Sequence, residues 1–203
     1  MERSLPFAHL NLRRNPFGEL DLSERQKIAV VDTKWLVHRL RIPGFAVQFI
    51  DAKGRGKTSS LLSLRCFYPS APYMYIQEGE SPSVPRGTPL FIDEAQRMPR
   101  RKRRRIFMRK ASFAIGTHED LTEELRDTGL VVQTIWPGRR LSARRLQEIF
   151  QRRIEHVRRG SGPVPSIRYQ TILTLMDTFG DDVRGMEDHL YEIFQLLGGV
   201  QDV

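Results

Sequence analysis

Apolar residues in this chain fall in short dense runs separated by polar, glycine-rich or proline-rich stretches. In the last third they switch to a helical spacing. Phe45 to Ile50 is the clearest run. Five of its six residues are apolar, too short for a typical helix and right for a strand buried on both faces. Comparable strand-length runs lie at 73–77, 89–93, 112–116 and 131–136. Between them come an apolar helical stretch carrying Leu61, Leu62 and Leu64, a basic segment after Pro99, and a short acidic helix from Glu119 to Asp127. Strands alternating with helices predict an α/β fold with a five-stranded parallel sheet flanked by helices.

The flanks read differently. The first 20 residues, including Asn11 to Gly18, have turn chemistry and no sustained period, which predicts an arm laid over the core. Ser23 is placed to cap a helix starting at Glu24, with Val30, Trp35, Leu36, Val37 and Leu40 as its apolar face and Pro43-Gly44 as its end. Gln77 to Thr88 carries Pro82, Pro85, Gly79 and Gly87 and reads as a loop without room for a helix. After Pro137-Gly138 the pattern is helical throughout. A long amphipathic helix over 141–159 presents Leu146, Ile149, Phe150 and Ile154 on one face, Gly160 to Pro163 forms a linker, and two helices follow near 166–179 and 183–197. The expected organisation is a core over 1–138 that includes the arm, and a small all-helical unit over 139–203.

The chemistry gathers at two strand ends. After Phe45 to Ile50 comes Asp51-Ala-Lys-Gly-Arg-Gly-Lys-Thr58 and then a helix. Strand, glycine-rich turn and helix is the context in which backbone N–H groups cradle phosphate, reinforced by the positive end of the helix. Lys53, Gly54, Arg55, Gly56, Lys57, Thr58 and Ser59 are the candidate cradle. Lys57 can reach terminal phosphates, and the Thr58 hydroxyl can ligate Mg²⁺. Asp51 stands where such loops usually begin with glycine. A plain glycine-rich turn before a helix is the alternative. The second stretch is Pro89-Leu-Phe-Ile-Asp-Glu94, whose apolar residues deliver Asp93 and Glu94 to the carboxyl end of a strand, where open α/β sheets bind ligands. Asp93 can support the metal, and Glu94 can polarise a water. A solvated strand end is the alternative.

Charge sharpens the picture. Arg97, Arg100, Arg101, Lys102, Arg103, Arg104, Arg105, Arg109 and Lys110 put nine positive charges in one stretch without an acid, equal to the whole net charge of +9. Such concentration suits a polyanion-facing surface. The opposing reading is a solvated helix face or a contact with an acidic protein. A single cysteine, Cys66, excludes an internal disulfide, and its place on the apolar helix predicts a buried small residue. No stretch has the length of a membrane span, and MERSLPFAHL lacks the apolar core of a signal peptide, so a cytoplasmic protein is expected.

DAKGRGKT and LFIDEAQ together resemble the Walker A and Walker B motifs of AAA+ P-loop ATPases. The resemblance runs through nearly the whole chain. Ala114 to Leu121 looks like the sensor 1 strand, with Thr117 near the γ-phosphate. Phe179-Gly-Asp-Asp-Val-Arg184 looks like the start of the lid helix carrying the sensor 2 arginine. The opening Asn15-Pro-Phe-Gly18 and the order of the pieces are closest to compact ATPases that partner transposases or secretion machinery, and to origin-recognition ATPases. The resemblance implies ATP and Mg²⁺ as ligands, with Glu94, Thr117, Arg184 and, as a trans-acting finger, Arg126 in the chemistry. It further implies a helical lid, a homo-oligomer and a protein partner. The charge density of the basic run makes Arg100, Arg101, Lys102, Arg104 and Arg105 the candidate contacts to duplex DNA, bound with little sequence preference. A non-hydrolysing, nucleotide-dependent protein-interaction switch acting in secretion or signalling is the second reading, favoured by Asp51.

Overall fold

The computed structural model describes residues 6–30 and 33–203, apart from the side chain of Arg140. In chain order the elements are α1 (Leu22–Ile28), α2 (Lys34–Leu40), β1 (Phe45–Ile50), α3 (Lys57–Arg65), β2 (Tyr73–Tyr75), β3 (Leu90–Asp93), α4 (Arg100–Phe107), β4 (Phe113–Thr117), α5 (Thr122–Arg126), β5 (Val131–Ile135), α6 (Ala143–His156), α7 (Tyr169–Phe179) and α8 (Val183–Leu196). The chain divides into two compact units, one of residues 31–140 and one of 1–30 with 141–203.

The first unit is the sheet. Its strands lie in the order β2-β3-β4-β1-β5, and every neighbouring pair is parallel. Alternation along the strands sorts two cores. Ala46, Ile92, Phe113 and Ile115 face a cluster holding Ile106 and Phe107 of α4 and Leu125 of α5. Val47, Phe49, Phe91 and Ala114 face Leu36 and Leu40 of α2 and Leu61 and Leu64 of α3. Helices thus cover both faces, which is why β1 is buried along its whole length. Gln48 is the polar exception in that strand. Its amide nitrogen lies 3.0 Å from Asp120 Oδ1, 2.6 Å from Thr122 Oγ1 and 2.9 Å from Thr134 Oγ1, and its carbonyl accepts from the Leu121 N–H at 3.1 Å. A buried amide with partners on both ends is tolerated, and here it pins the turn that follows β4.

The second unit is helical. Leu146, Phe150 and Ile154 of α6 pack with Ile172 and Leu175 of α7 and Met186, Leu190 and Phe194 of α8. The expected arm belongs to this helical unit, not to the unit of the sheet. Leu10, Leu12 and Phe17 are part of the helical core. Phe17 makes edge-to-face contacts with Phe150 and Phe194 at 5.7 and 5.1 Å, each worth about 1 kcal/mol beyond burial. Arg153, itself buried, holds the Asn15-Pro-Phe-Gly18 turn by donating to the Pro16 and Gly18 carbonyls at 2.9 and 2.8 Å while pairing with Glu187 at 3.0 Å.

Other expectations are corrected locally. The single helix foreseen from Glu24 to Leu40 is two short helices, and Asp21 rather than Ser23 caps the first, in a reciprocal pair with Glu24. A carboxylate three residues before Glu24 satisfies the capping box better than the nearer hydroxyl. Cys66 is exposed, because α3 ends at Arg65 and the chain turns outward there. Gln77 to Thr88 contains neither helix nor strand, as expected.

Candidate active site

Strand register decides which side chains meet at the carboxyl rim of the sheet. Phe49 pairs with Gly116 and Ile135, and Ile50 with Thr117. Ile92 pairs with Ile115, which sets Asp93 beside Gly116. The glycine is required by that neighbour. A Cβ at Gly116 would sit 2.4 Å from Asp93 Oδ1 and 2.9 Å from Leu61 Cδ1. Gly116→Ala is therefore expected to push the carboxylate out of place and destabilise the fold by roughly 1–3 kcal/mol. Denaturant unfolding checks it, and an unchanged stability would contradict the close approach of Asp93 to Gly116.

The loop after β1 turns at Gly54 and Gly56, whose φ of +87° and +86° suit glycine. Gly56 then caps α3. Lys57 is buried and folded back, with Nζ donating to the Asp51 and Ala52 carbonyls at 2.8 Å each. Burial pushes its ammonium pKa down, opposed by the carboxylates of Glu94, Asp93 and Asp51. Lys53 is exposed, while Arg55 and Ser59 are half-buried along the loop and the first turn of α3. Asp51 has a structural role that its sequence position did not reveal. Its Oδ2 accepts from the Gly138 N–H at 2.8 Å and its Oδ1 from the Ala52 N–H at 2.9 Å, tying the loop to the turn after β5. Arg55 Nε lies 4.0 Å from the same carboxylate.

The two strand-end motifs meet directly. Thr58 Oγ1 donates to Asp93 Oδ2 at 2.7 Å, and the Tyr73 hydroxyl donates to the same oxygen at 3.1 Å. Asp93 is fully buried, and burial pushes its carboxyl pKa up, against the pull of those two hydrogen bonds. One hydroxyl and one carboxylate oxygen suit Mg²⁺, which takes few protein ligands and completes its shell with phosphate oxygens and water. Among the described residues no cluster of three or more His, Cys, Asp or Glu could hold a metal unaided.

Glu94 adopts left-handed backbone geometry, φ +60° and ψ +42°. That conformation is uncommon for a non-glycine residue and concentrates at functional sites. Its carboxylate is held by three side chains: Gln96 Nε2 at 2.8 Å, His118 Nε2 at 3.3 Å and Arg97 Nε at 3.4 Å. Gln96 also accepts from the His118 N–H at 3.2 Å. None of these partners of Glu94 was singled out from sequence for that role. The spacing of Gln96, two residues past Glu94, was the available signal. Tyr73 and Gly116 were likewise missed, though a glycine inside a strand marks close approach.

Thr117 is fully buried at the rim, but its hydroxyl accepts from the Glu119 N–H and donates to the Glu119 carbonyl, both at 3.0 Å, closing the turn after β4. Arg126 is the exposed last residue of α5, on the return toward the amino ends of the strands. Arg184 is exposed in the first turn of α8, in the helical unit. In the basic segment Arg103 is buried, paired with Glu124 at 2.8 Å and donating to the Gln96 and Met98 carbonyls. Lys102 turns onto Ser81 and Pro82 and Arg109 onto Pro85. Arg100, Arg101, Arg104 and Arg105 stay exposed.

No protein-family model and no curated protein matches this chain.

A cationic loop at a helix N-terminus faces a hydroxyl–carboxylate pair, with a second carboxylate next to it on the same strand end. No helix among the described residues is long and apolar enough to cross a membrane.

Proposed function

We propose that the chain is an ATP-binding and hydrolysing protein of the AAA+ P-loop class, whose nucleotide state controls assembly on DNA and engagement of a protein partner. The observation that carries this reading is the 2.7 Å contact between Thr58 and Asp93, which joins the glycine-rich loop to the acidic strand end. Residues 53–59 receive the phosphates through backbone N–H groups, and Lys57 leaves its two carbonyl partners for the β- and γ-phosphate oxygens. Thr58 and Asp93 hold Mg²⁺, which neutralises charge on the phosphates when bound. Glu94 takes a proton from the water that attacks the γ-phosphorus, as the bond to the β–γ bridging oxygen breaks and ADP departs. Catalysis at such a site is positioning and charge stabilisation. A second reading, a switch that binds nucleotide without turnover, draws on the three side chains that hold Glu94.

The DNA surface follows from α4. Arg100 and Arg104, and Arg101 and Arg105, are spaced i, i+4 and so form two adjacent exposed rows. Glu124 and Asp127 line the same recess as Arg100, Arg101 and Arg104, and Glu124 lies 4.0 Å from Arg100 Nε, so phosphates would meet the arginine rows on the side away from those carboxylates. Four phosphate contacts imply a log affinity against log salt slope on the order of −4 on B-DNA. Replacing Arg100, Arg101, Arg104 and Arg105 with Ala is expected to flatten that slope and weaken binding equally across unrelated sequences. The test is duplex affinity against salt for parent and variant with ATP present, with ATP turnover read at each point. Stimulated turnover that disappears in the variant supports the reading. Equal slopes remove α4 from it, and no duplex binding at low salt turns the surface toward an acidic protein partner.

A further inference from the structure

Trp136 is the residue whose surroundings the phosphate site leaves unexplained. It follows β5 directly, keeps 36% of its surface exposed, and is absent from both sheet cores, one of which reaches Ile135 on that strand and the other only Val132. The Arg139 guanidinium carbon lies 4.7 Å from the centroid of its ring. The turn that carries the indole is tied to the phosphate loop by a hydrogen bond from the Gly138 N–H to Asp51 Oδ2 at 2.8 Å. Pro137 also lies close to Gly56, where an added Cβ would come within 3.7 Å of Pro137 Cβ.

The sheet would give a bound chain of phosphates a direction. Thr58, Asp93 and Glu94, the residues that would hold a metal and activate a water, gather on the β3 side of β1. A terminal phosphate would then point toward β3 and β4. The end bearing the sugar would leave the loop the other way, and β5 is the single strand on that side of β1. Trp136 stands at its carboxyl end.

We infer that Trp136 and Arg139 form the platform on which the nucleobase stacks, so that this site selects a nucleoside triphosphate over a bare polyphosphate. Arg139 takes one face of the indole and the base the other. A flat aromatic face attracts any base, and more strongly a two-ring one, so the platform favours purine over pyrimidine by stacking area. The inference rests on the phosphate-loop reading, and its test separates the two.

The full chain carries two tryptophans, so Trp35→Phe leaves Trp136 as the sole indole reporter. In that background, Mg²⁺ complexes of ATP, CTP and inorganic tripolyphosphate are titrated by calorimetry and by fluorescence, with Trp136→Ala and Trp136→Phe compared by calorimetry. ATP is expected to quench Trp136 and to bind at least about tenfold more tightly than tripolyphosphate, with CTP between them. Trp136→Ala should bring ATP down to the tripolyphosphate level and leave tripolyphosphate affinity within about twofold, which also reports that the loop is intact. Trp136→Phe should recover most of the loss. Tripolyphosphate binding with equal ATP affinity in parent and Trp136→Ala overturns the platform alone. So does a loss in Trp136→Ala that is equal for both ligands. Failure of the parent to bind either ligand overturns the phosphate loop and the platform with it.

Discussion

Lys57→Ala is expected to lower ATP affinity by more than about a hundredfold while leaving the fold in place. The ammonium is buried within the loop, held by two carbonyls and surrounded by three carboxylates. On the phosphate-loop reading it is the side-chain cation of the loop that would reach the phosphates. A charge-assisted hydrogen bond is worth about 1.5–3 kcal/mol, and losing the charge beside several phosphate oxygens removes at least one such interaction and part of another. About 3 kcal/mol corresponds to more than a hundredfold in affinity. The fold should survive, because Ala52 is exposed and Asp51 half-buried, so water can reach the carbonyls that Lys57 leaves. Nucleotide titration reads the first effect and thermal unfolding the second. Parent-like affinity in a folded variant would remove Lys57 from the phosphate site.

Glu94→Gln is expected to keep ATP binding within a few-fold and slow turnover by about 10²- to 10⁴-fold, the usual contribution of a positioned base. The amide keeps the size of the side chain and one oxygen able to accept from Gln96, but loses the charge that polarises water. The present hold on the carboxylate is specific. Gln96, Arg97 and His118 together fix it in a left-handed backbone position that few non-glycine residues adopt. Arg97 also donates to the Tyr75 hydroxyl at 3.0 Å and the Ile76 carbonyl at 2.9 Å, so it ties Glu94 to the segment leaving β2. Single-turnover hydrolysis alongside equilibrium ATP binding checks the split. A variant that hydrolyses at the parent rate removes Glu94 as the base, whereas a parent that binds without hydrolysing supports the switch.

The sheet was legible because its strands are dense apolar runs of strand length, three of which, β1, β3 and β4, are buried on both faces. β1 falls at the expected residues, and the others differ by one or two at their ends. The meeting of Thr58 with Asp93 followed from the order strand, loop, helix and acidic strand end. Three things were hidden. Asp51 looked like a defect in a phosphate loop, and only folding shows that Gly138 supplies its partner. The run Arg100 to Arg105 offers no contrast between its members, yet Arg103 lies three and four residues before Ile106 and Phe107, on the buried stripe. That spacing was the available signal. The arm joins the helical unit through Phe17 and Arg153, contacts of long sequence separation that no local pattern encodes.

The most direct test of the central claim is phosphate release from ATP by the purified full chain, measured with Mg²⁺ and with a chelator, in the presence of duplex DNA. The site described here predicts release that requires Mg²⁺ and stops on chelation, because Thr58 and Asp93 cannot organise the phosphates without the metal. Release that persists in chelator, or no release together with no ATP binding at millimolar concentration, would contradict it.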